Sequence, residues 1–218
     1  MFQIKICGIT TVDDAAAVVQ TEADAVGLNF YPRSPRHVGD DAARQIVAVL
    51  PRGIVKVGLF VNAVASDVCR LYDDLRLDLI QLHGDEPPEY LTELSGRPVM
   101  RAFRVGFGEL GTIIEYLARC RELDVTPAFT MLDSLVMGEY GGTGKTADWT
   151  TARQYASRPG LPPLVLAGGL TPENVAEAIA AVHPAAVDVA SGVESSPGRK
   201  DATAVGAFVR AARAAFGH

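Results

Sequence analysis

Three side chains in this sequence, Cys7, Asp133 and Arg36, combine a reactive group with a position that a fold would hold still. Cys7 follows the apolar run Phe2–Ile6 and stands directly before Gly8. A thiol there can serve as a base or nucleophile aimed into whatever opens above the strand, or can pack as a small buried hydrophobe. Lys5 shares its strand face, so an ammonium can sit beneath the sulfur and favour thiolate. That help matters, because an unperturbed thiol with a pKa of about 8.5 is only a few per cent ionised near neutrality. Asp133 ends the run Ala128–Leu132. A carboxyl partly desolvated at a strand mouth can hold its proton and act as a general acid, or it can cap a helix.

Arg36 lies in the proline-stiffened segment Tyr31-Pro32-Arg33-Ser34-Pro35-Arg36-His37. Its guanidinium can clamp a carboxylate through two parallel hydrogen bonds, or can remain a solvated loop cation, the expectation for Arg33. Two glycine turns, Ala167-Gly168-Gly169-Leu170 and Ala190-Ser191-Gly192-Val193, read as an anion cradle. Backbone N–H groups and helix starts bind phosphate there, although helix capping explains the first turn equally well. A third glycine run, Gly141-Gly142-Thr143-Gly144, fits a phosphate loop, a mobile lid or a plain turn. His83, in Gln81-Leu82-His83-Gly84-Asp85, lacks the companion ligands of a metal site and reads as a residue supporting the site, as does Lys5.

The elements that must position these groups alternate along the chain. Strand patterns fall at 2–6, 25–30, 54–61, 79–82, 99–103, 128–132, 164–167 and 186–189, with amphipathic Ala-rich segments between them. Helix starts are marked by Thr10-Thr11-Val12-Asp13, Gly39-Asp40, Asn62, Glu86-Pro87-Pro88 and Thr171-Pro172-Glu173-Asn174. Eight such units predict an α/β fold, a single-domain (β/α)8 TIM barrel spanning residues 1–218. A doubly wound open sheet is the other candidate, but no GxGxxG follows the first strand. Barrels carry function at the C-terminal ends of their strands, where Cys7, Asn29, His83, Asp133 and Ser191 all fall. Strand alternation further predicts Gln3, Lys5 and Cys7 facing the barrel interior, with Phe2, Ile4 and Ile6 packed under helices.

Composition narrows the partners. A charge of −6 without a Lys/Arg cluster offers no nucleic-acid surface, while leaving room for an anion held by backbone groups. Three cysteines without a CxxC pair predict free thiols and a reducing cytoplasm rather than disulfides or zinc. The N-terminal apolar run is interrupted by Gln3 and Lys5, unlike a signal peptide, and no stretch approaches a membrane span. Expected partners are therefore a phosphorylated small molecule, no nucleic acid and no membrane, for a monomer or homodimer.

The segments KICGIT, GLNFYPRSPRHV, VGLFVN, QLHGDE, GGTGKTADW, LAGGLTPENV and DVASGVESSPGRKD run in order from residue 5 to residue 201. As a set they resemble the phosphoribosylanthranilate isomerases of tryptophan biosynthesis. The resemblance implies a (β/α)8 barrel that needs no cofactor or metal. It implies an Amadori rearrangement, an aldose–ketose isomerisation of N-(5′-phosphoribosyl)anthranilate to 1-(o-carboxyphenylamino)-1-deoxyribulose 5-phosphate. By the same resemblance Asp133 is the general acid and Cys7 the general base. Arg36 holds the anthranilate carboxylate, and Gly168, Gly169, Ser191 and Gly192 hold the phosphate. Two positions depart from the family pattern: Ala147 replaces an aromatic residue in the third glycine segment, and Asn29 replaces an apolar one.

Two other functions fit parts of this pattern. The related histidine-pathway isomerases carry an aspartate where this chain has Cys7, and their two-phosphate substrate calls for a second anion site. A non-catalytic phosphosugar-binding barrel would keep the cradle without the acid and base.

Overall fold

Eight parallel strands close on themselves in sequence order, each joined to its neighbour through an outer segment. They are β1 (Ile4–Cys7), β2 (Ala25–Asn29), β3 (Val55–Phe60), β4 (Leu79–Leu82), β5 (Val99–Arg104), β6 (Phe129–Asp133), β7 (Leu164–Ala167) and β8 (Ala186–Val189). The computed structural model describes residues 2–104, 110–133 and 149–217. The helices are α1 (Val12–Val19), α2 (Asp40–Val49), α3 (Ala65–Asp74), α4 (Leu110–Glu122), α5 (Thr150–Ala156), α6 (Val175–Val182) and α7 (Ala202–Phe216). A 3₁₀ helix, Pro88–Leu94, replaces an α-helix between β4 and β5, and a second one covers Ser191–Val193. The (β/α)8 expectation holds, and the closed strand order excludes the open sheet.

Strand alternation sorts the apolar side chains into two layers. Ile4, Ile6, Val26, Leu28, Ile80 and Leu82 point outward into the large core beneath the helices. Ala25, Val57, Leu79, Met100, Met131 and Val165 fill the interior of the barrel. Above that plug the inward positions turn polar, and Lys5, Gln81 and Asp188 are all buried.

One expectation about the first strand fails. Phe2 belongs to the interior cluster rather than the outer one, with its ring centroid 5.2 Å from that of Phe129. Gln3 is half-buried and its side chain meets Arg213 of α7, outside the barrel. The cause lies in where pairing begins. The backbone N–H groups of Gln3 and Ile4 both donate to the Asp24 carboxylate, each at 2.9 Å, so alternation holds only from Ile4 onward.

Helix starts follow their chemistry unevenly. Thr11 caps α1 by accepting from the Asp14 N–H at 3.1 Å, and Asp201 caps α7 through Thr203 and Ala204. Asn62 starts no helix. It adopts φ +50°, and its side chain accepts from the Asp85 N–H at 2.7 Å, tying the β3 loop to the β4 loop. Thr171-Pro172-Glu173-Asn174 forms a turn ahead of α6 rather than its first turn.

Candidate active site

The C-terminal ends of the strands enclose a cavity of about 410 Å³. Its lining includes Cys7, Arg36, His83, Asp133, Gly168, Gly169, Ser191 and Gly192. Eight residues singled out in the sequence therefore meet around one opening, although they come from six strand ends. The remaining glycine segment, Gly141, Gly142, Thr143 and Gly144, lies outside the described residues, as does Ala147.

Cys7 sits at the tip of β1 over a buried charge pair. Lys5 Nζ is fully buried and donates to Asp188 Oδ1 at 2.8 Å. Sequence reading missed Asp188, although alternation in Ala186-Val187-Asp188-Val189 places a carboxylate on the inward face, and Lys5 pairs with it in register. Burial lowers the pKa of Lys5, but attraction to Asp188 and Cys7 outweighs it and holds the ammonium above its ordinary value. For Cys7 the balance goes the other way. Burial dominates, Lys5 opposes it and Asp188 reinforces it, so the thiol pKa is raised. Lys5 does favour thiolate, as its spacing predicted, but it offsets burial only in part.

Gly27 makes this arrangement possible. A Cβ there would lie 2.7 Å from Cys7 Sγ and 3.0 Å from Lys5 Nζ. Only a residue without a side chain leaves room for the thiol and the ammonium together.

Asp133 ends β6, three strands from β1 by way of β8 and β7. Its Oδ2 stands 3.4 Å from His83 Nε2, and both side chains are mostly withdrawn from water. His83 is steadied from behind. Glu86, itself buried, accepts from the N–H groups of Asn62 at 2.7 Å and Gly84 at 3.0 Å, and Arg101 donates to the Gly84 carbonyl at 2.9 Å. Arg104, at the end of β5 and in register with Asp133, also lines the cavity and went unnoticed in the sequence.

Arg36 is aimed by the loop after β2. The Asn29 side chain donates to Ser34 Oγ at 3.0 Å and accepts from the Tyr31 N–H at 2.9 Å; Ser34 Oγ in turn accepts from the Arg36 N–H at 3.1 Å. This gives the departure at Asn29 a physical role: its amide folds the loop that carries the guanidinium. Arg33 is exposed and lies over the Tyr31 ring at 5.2 Å, as a solvated cation should.

The glycine turns after β7 and β8 press against each other. A Cβ at Gly192 would overlap the Leu170 carbonyl oxygen at 1.9 Å, while one at Gly169 would meet nothing within 4 Å. Gly168 and Gly169 have φ of +88° and +63°, the left-handed region that favours glycine. Asn174 braces the first turn by accepting from the Thr171 N–H at 2.8 Å and donating to the Gly169 carbonyl at 2.9 Å. The second turn leads into the 3₁₀ helix Ser191–Val193, the type of short extra helix that barrels use beside an anion. Among the described residues, no three His, Cys, Asp or Glu side chains gather as metal ligands.

A model of the N-(5′-phosphoribosyl)anthranilate isomerase family matches residues 4–211. This chain belongs to that family. An N-(5′-phosphoribosyl)anthranilate isomerase of Trichlorobacter lovleyi is 46% identical over 216 residues, covering 99% of this chain and 100% of that protein. The crystal structure of phosphoribosyl anthranilate isomerase from Thermotoga maritima superposes with a TM-score of 0.86 at 39% identity, covering 98% and 100% of the two chains. A second crystal structure of phosphoribosyl anthranilate isomerase holds reduced 1-(o-carboxyphenylamino)-1-deoxyribulose 5-phosphate. It matches with a TM-score of 0.83 at 36% identity, over 98% of this chain and 100% of that one.

Proposed function

We propose that this chain isomerises N-(5′-phosphoribosyl)anthranilate in tryptophan biosynthesis with Asp133 as general acid and Cys7 as general base. The observation that carries the reading is the shared cavity. One opening holds a thiol beside a buried ammonium, a carboxyl group three strands away, a guanidinium and two facing glycine turns. The furanose ring opens when Asp133 gives its proton to the ring oxygen, the C1′–O bond breaks and the nitrogen lone pair forms C1′=N. The Cys7 thiolate then takes the C2′ proton, and the C–H electron pair becomes C1′=C2′ as the C1′=N pair returns to nitrogen. The resulting enol gains a proton at C1′ and loses one from its hydroxyl to give the ketone. These steps need Asp133 protonated and Cys7 ionised, the reverse of the order a carboxyl and a thiol hold in water. The site and the bound substrate must therefore supply the inversion, with Lys5 favouring the thiolate.

Substrate binding divides among the remaining groups. Arg36 takes the anthranilate carboxylate, and the turns at Gly168-Gly169 and Ser191-Gly192 take the phosphate through backbone groups. Lys5 keeps its charge beside the sulfur and favours the ionised base. His83 contacts Asp133 and orients it. The same reading treats residues 1–218 as one catalytic domain, working in the cytoplasm as a monomer or homodimer. Among the described residues no helix is long and apolar enough to cross a membrane.

The test is a fluorescence assay that follows loss of N-(5′-phosphoribosyl)anthranilate on addition of the purified chain. The expected result is catalytic loss that disappears in the Cys7→Ser, Asp133→Asn double variant. Persistence in that variant would contradict the assignment.

A further inference from the structure

Beyond Ser191 and Gly192 the chain forms a hairpin outside the barrel wall, β9 (Glu194–Ser196) antiparallel to β10 (Arg199–Lys200). Its tip rests on the two loops that carry Cys7 and Arg36. Thr10 Oγ1 donates to the Gly198 carbonyl at 2.6 Å, and a Cβ at Gly198 would stand 2.9 Å from the Pro35 carbonyl oxygen. Its base turns Glu194 onto Arg36. Arg36 Nε donates to Oε1 at 2.8 Å and Nη2 donates to Oε2 at 2.7 Å, a two-pronged pairing. Lys200 Nζ, 1% exposed, donates to the same Oε1 at 2.8 Å and to the Ala190 carbonyl at 3.0 Å.

Two consequences follow for Arg36. A guanidinium has two forked edges, and Glu194 occupies the Nε/Nη2 edge, leaving the Nη1/Nη2 edge to face a second acceptor. Its stem is confined as well, since a Cβ at Gly8 would stand 2.6 Å from Arg36 Cδ. The charges of the cluster are also uneven. Arg36 and Lys200 share the single carboxylate of Glu194, and Arg36 is the more exposed cation, with 23% of its side chain accessible. The cluster keeps one positive charge more than its carboxylate, and one further carboxylate would balance it.

We propose that Glu194 is a positioning residue that presents the free edge of Arg36 to the carboxylate of the substrate's aromatic ring, with Lys200 holding Glu194 in place. The proposal rests on the reading of Arg36 as the carboxylate clamp. It makes the hairpin a determinant of selectivity for carboxylated over carboxylate-free ligands. Without Glu194 the guanidinium keeps its charge but loses its fixed direction, so the geometric part of recognition disappears.

The experiment is calorimetric titration of the wild type, Glu194→Gln and Glu194→Asp with reduced 1-(o-carboxyphenylamino)-1-deoxyribulose 5-phosphate and with the same compound lacking the ring carboxylate. The wild type is expected to bind the carboxylated ligand at least about tenfold more tightly, as a charge-assisted two-pronged contact should allow. Glu194→Gln is expected to narrow that ratio to about threefold or less while binding the carboxylate-free ligand as the wild type does. Glu194→Asp keeps a buried charge for Lys200 but shortens the arm, and its ratio is expected to fall between the two. It carries the test if the glutamine variant does not fold. In steady-state assays the loss is expected in KM, with kcat little changed. Wild-type discrimination in the variants, or equal loss of affinity for both ligands, would overturn the proposal. A wild type that does not discriminate would instead overturn the clamp role of Arg36 itself.

Discussion

Lys5 Nζ stands 2.8 Å from Asp188 Oδ1 in the upper barrel, with Lys5 wholly out of water and Cys7 beside the same ammonium. Two of the three groups come from one strand and the third from its neighbour across the barrel seam. A buried ion pair contributes little net stability against an apolar substitute of the same shape, but removing one partner strands the other charge. The pair is thus better suited to setting charge beneath the thiol than to holding the barrel together.

Lys5→Met should cost about 3–5 kcal/mol of stability, because Asp188 is left buried without its cation. Lys5→Met with Asp188→Leu should recover much of that loss while leaving turnover low. Denaturant unfolding and the fluorescence assay separate the two effects.

The titration of Cys7 has a defined sign. Burial outweighs Lys5 and raises the thiol pKa, so the free protein holds a proton on Cys7 that an unfolded chain releases above a pH of about 8.5. Thiolate absorbance in the ultraviolet, taken as wild type minus Cys7→Ser, should therefore rise with a midpoint above that of a free thiol. Lys5→Met should move the midpoint further up. Stability should fall as pH climbs past about 8.5, and the Cys7→Ser variant should be spared this part of the loss.

Gly27→Ala places a methyl group against both Cys7 Sγ and Lys5 Nζ. Overpacking of this kind costs about 1–3 kcal/mol, and the displaced pair should lower kcat far more than it raises KM. An equal change in both would point to a general distortion of the pocket.

Gly192→Ala drives a Cβ into the Leu170 carbonyl oxygen, so the two glycine turns must part. The expected outcome is weaker binding of inorganic phosphate and a higher KM for substrate, measured by calorimetry and steady-state kinetics. Unchanged phosphate affinity would remove these turns as the anion site.

Most of the barrel was legible in the sequence, because each unit repeats a local pattern: an apolar β-branched run, a polar or glycine stop, and an amphipathic segment. Thr11 shows how a cap marks its helix directly. Strand-end placement also gathered Cys7, Asp133 and Arg36 at one mouth before any contact was known. The less legible features depend on partners distant in sequence. Asp188 lies 183 residues from Lys5, and Glu194 lies 158 residues from Arg36. Gly27 looked like an ordinary strand glycine until Cys7 and Lys5 were set beside it. Asn29 stood out as a polar strand end and as a departure, and the Ser34 hydroxyl explains it. The inward turn of Phe2 depended on Asp24, whose carboxylate takes the N–H groups that alternation assigned to a continuing strand.

The central claim is that Cys7 removes the C2′ proton while Asp133 protonates the ring oxygen. The most direct measurement is single-turnover kinetics of the wild type, Cys7→Ser and Asp133→Asn on N-(5′-phosphoribosyl)anthranilate carrying deuterium at C2′. The account predicts that each variant loses at least about a hundredfold in the chemical step, within the range expected of general acid–base catalysis. It also predicts a primary isotope effect that grows in Cys7→Ser, as proton removal becomes fully limiting, while affinity for the reduced product stays near the wild-type value. A Cys7→Ser variant that turns over at the wild-type rate, with an unchanged isotope effect, would contradict it.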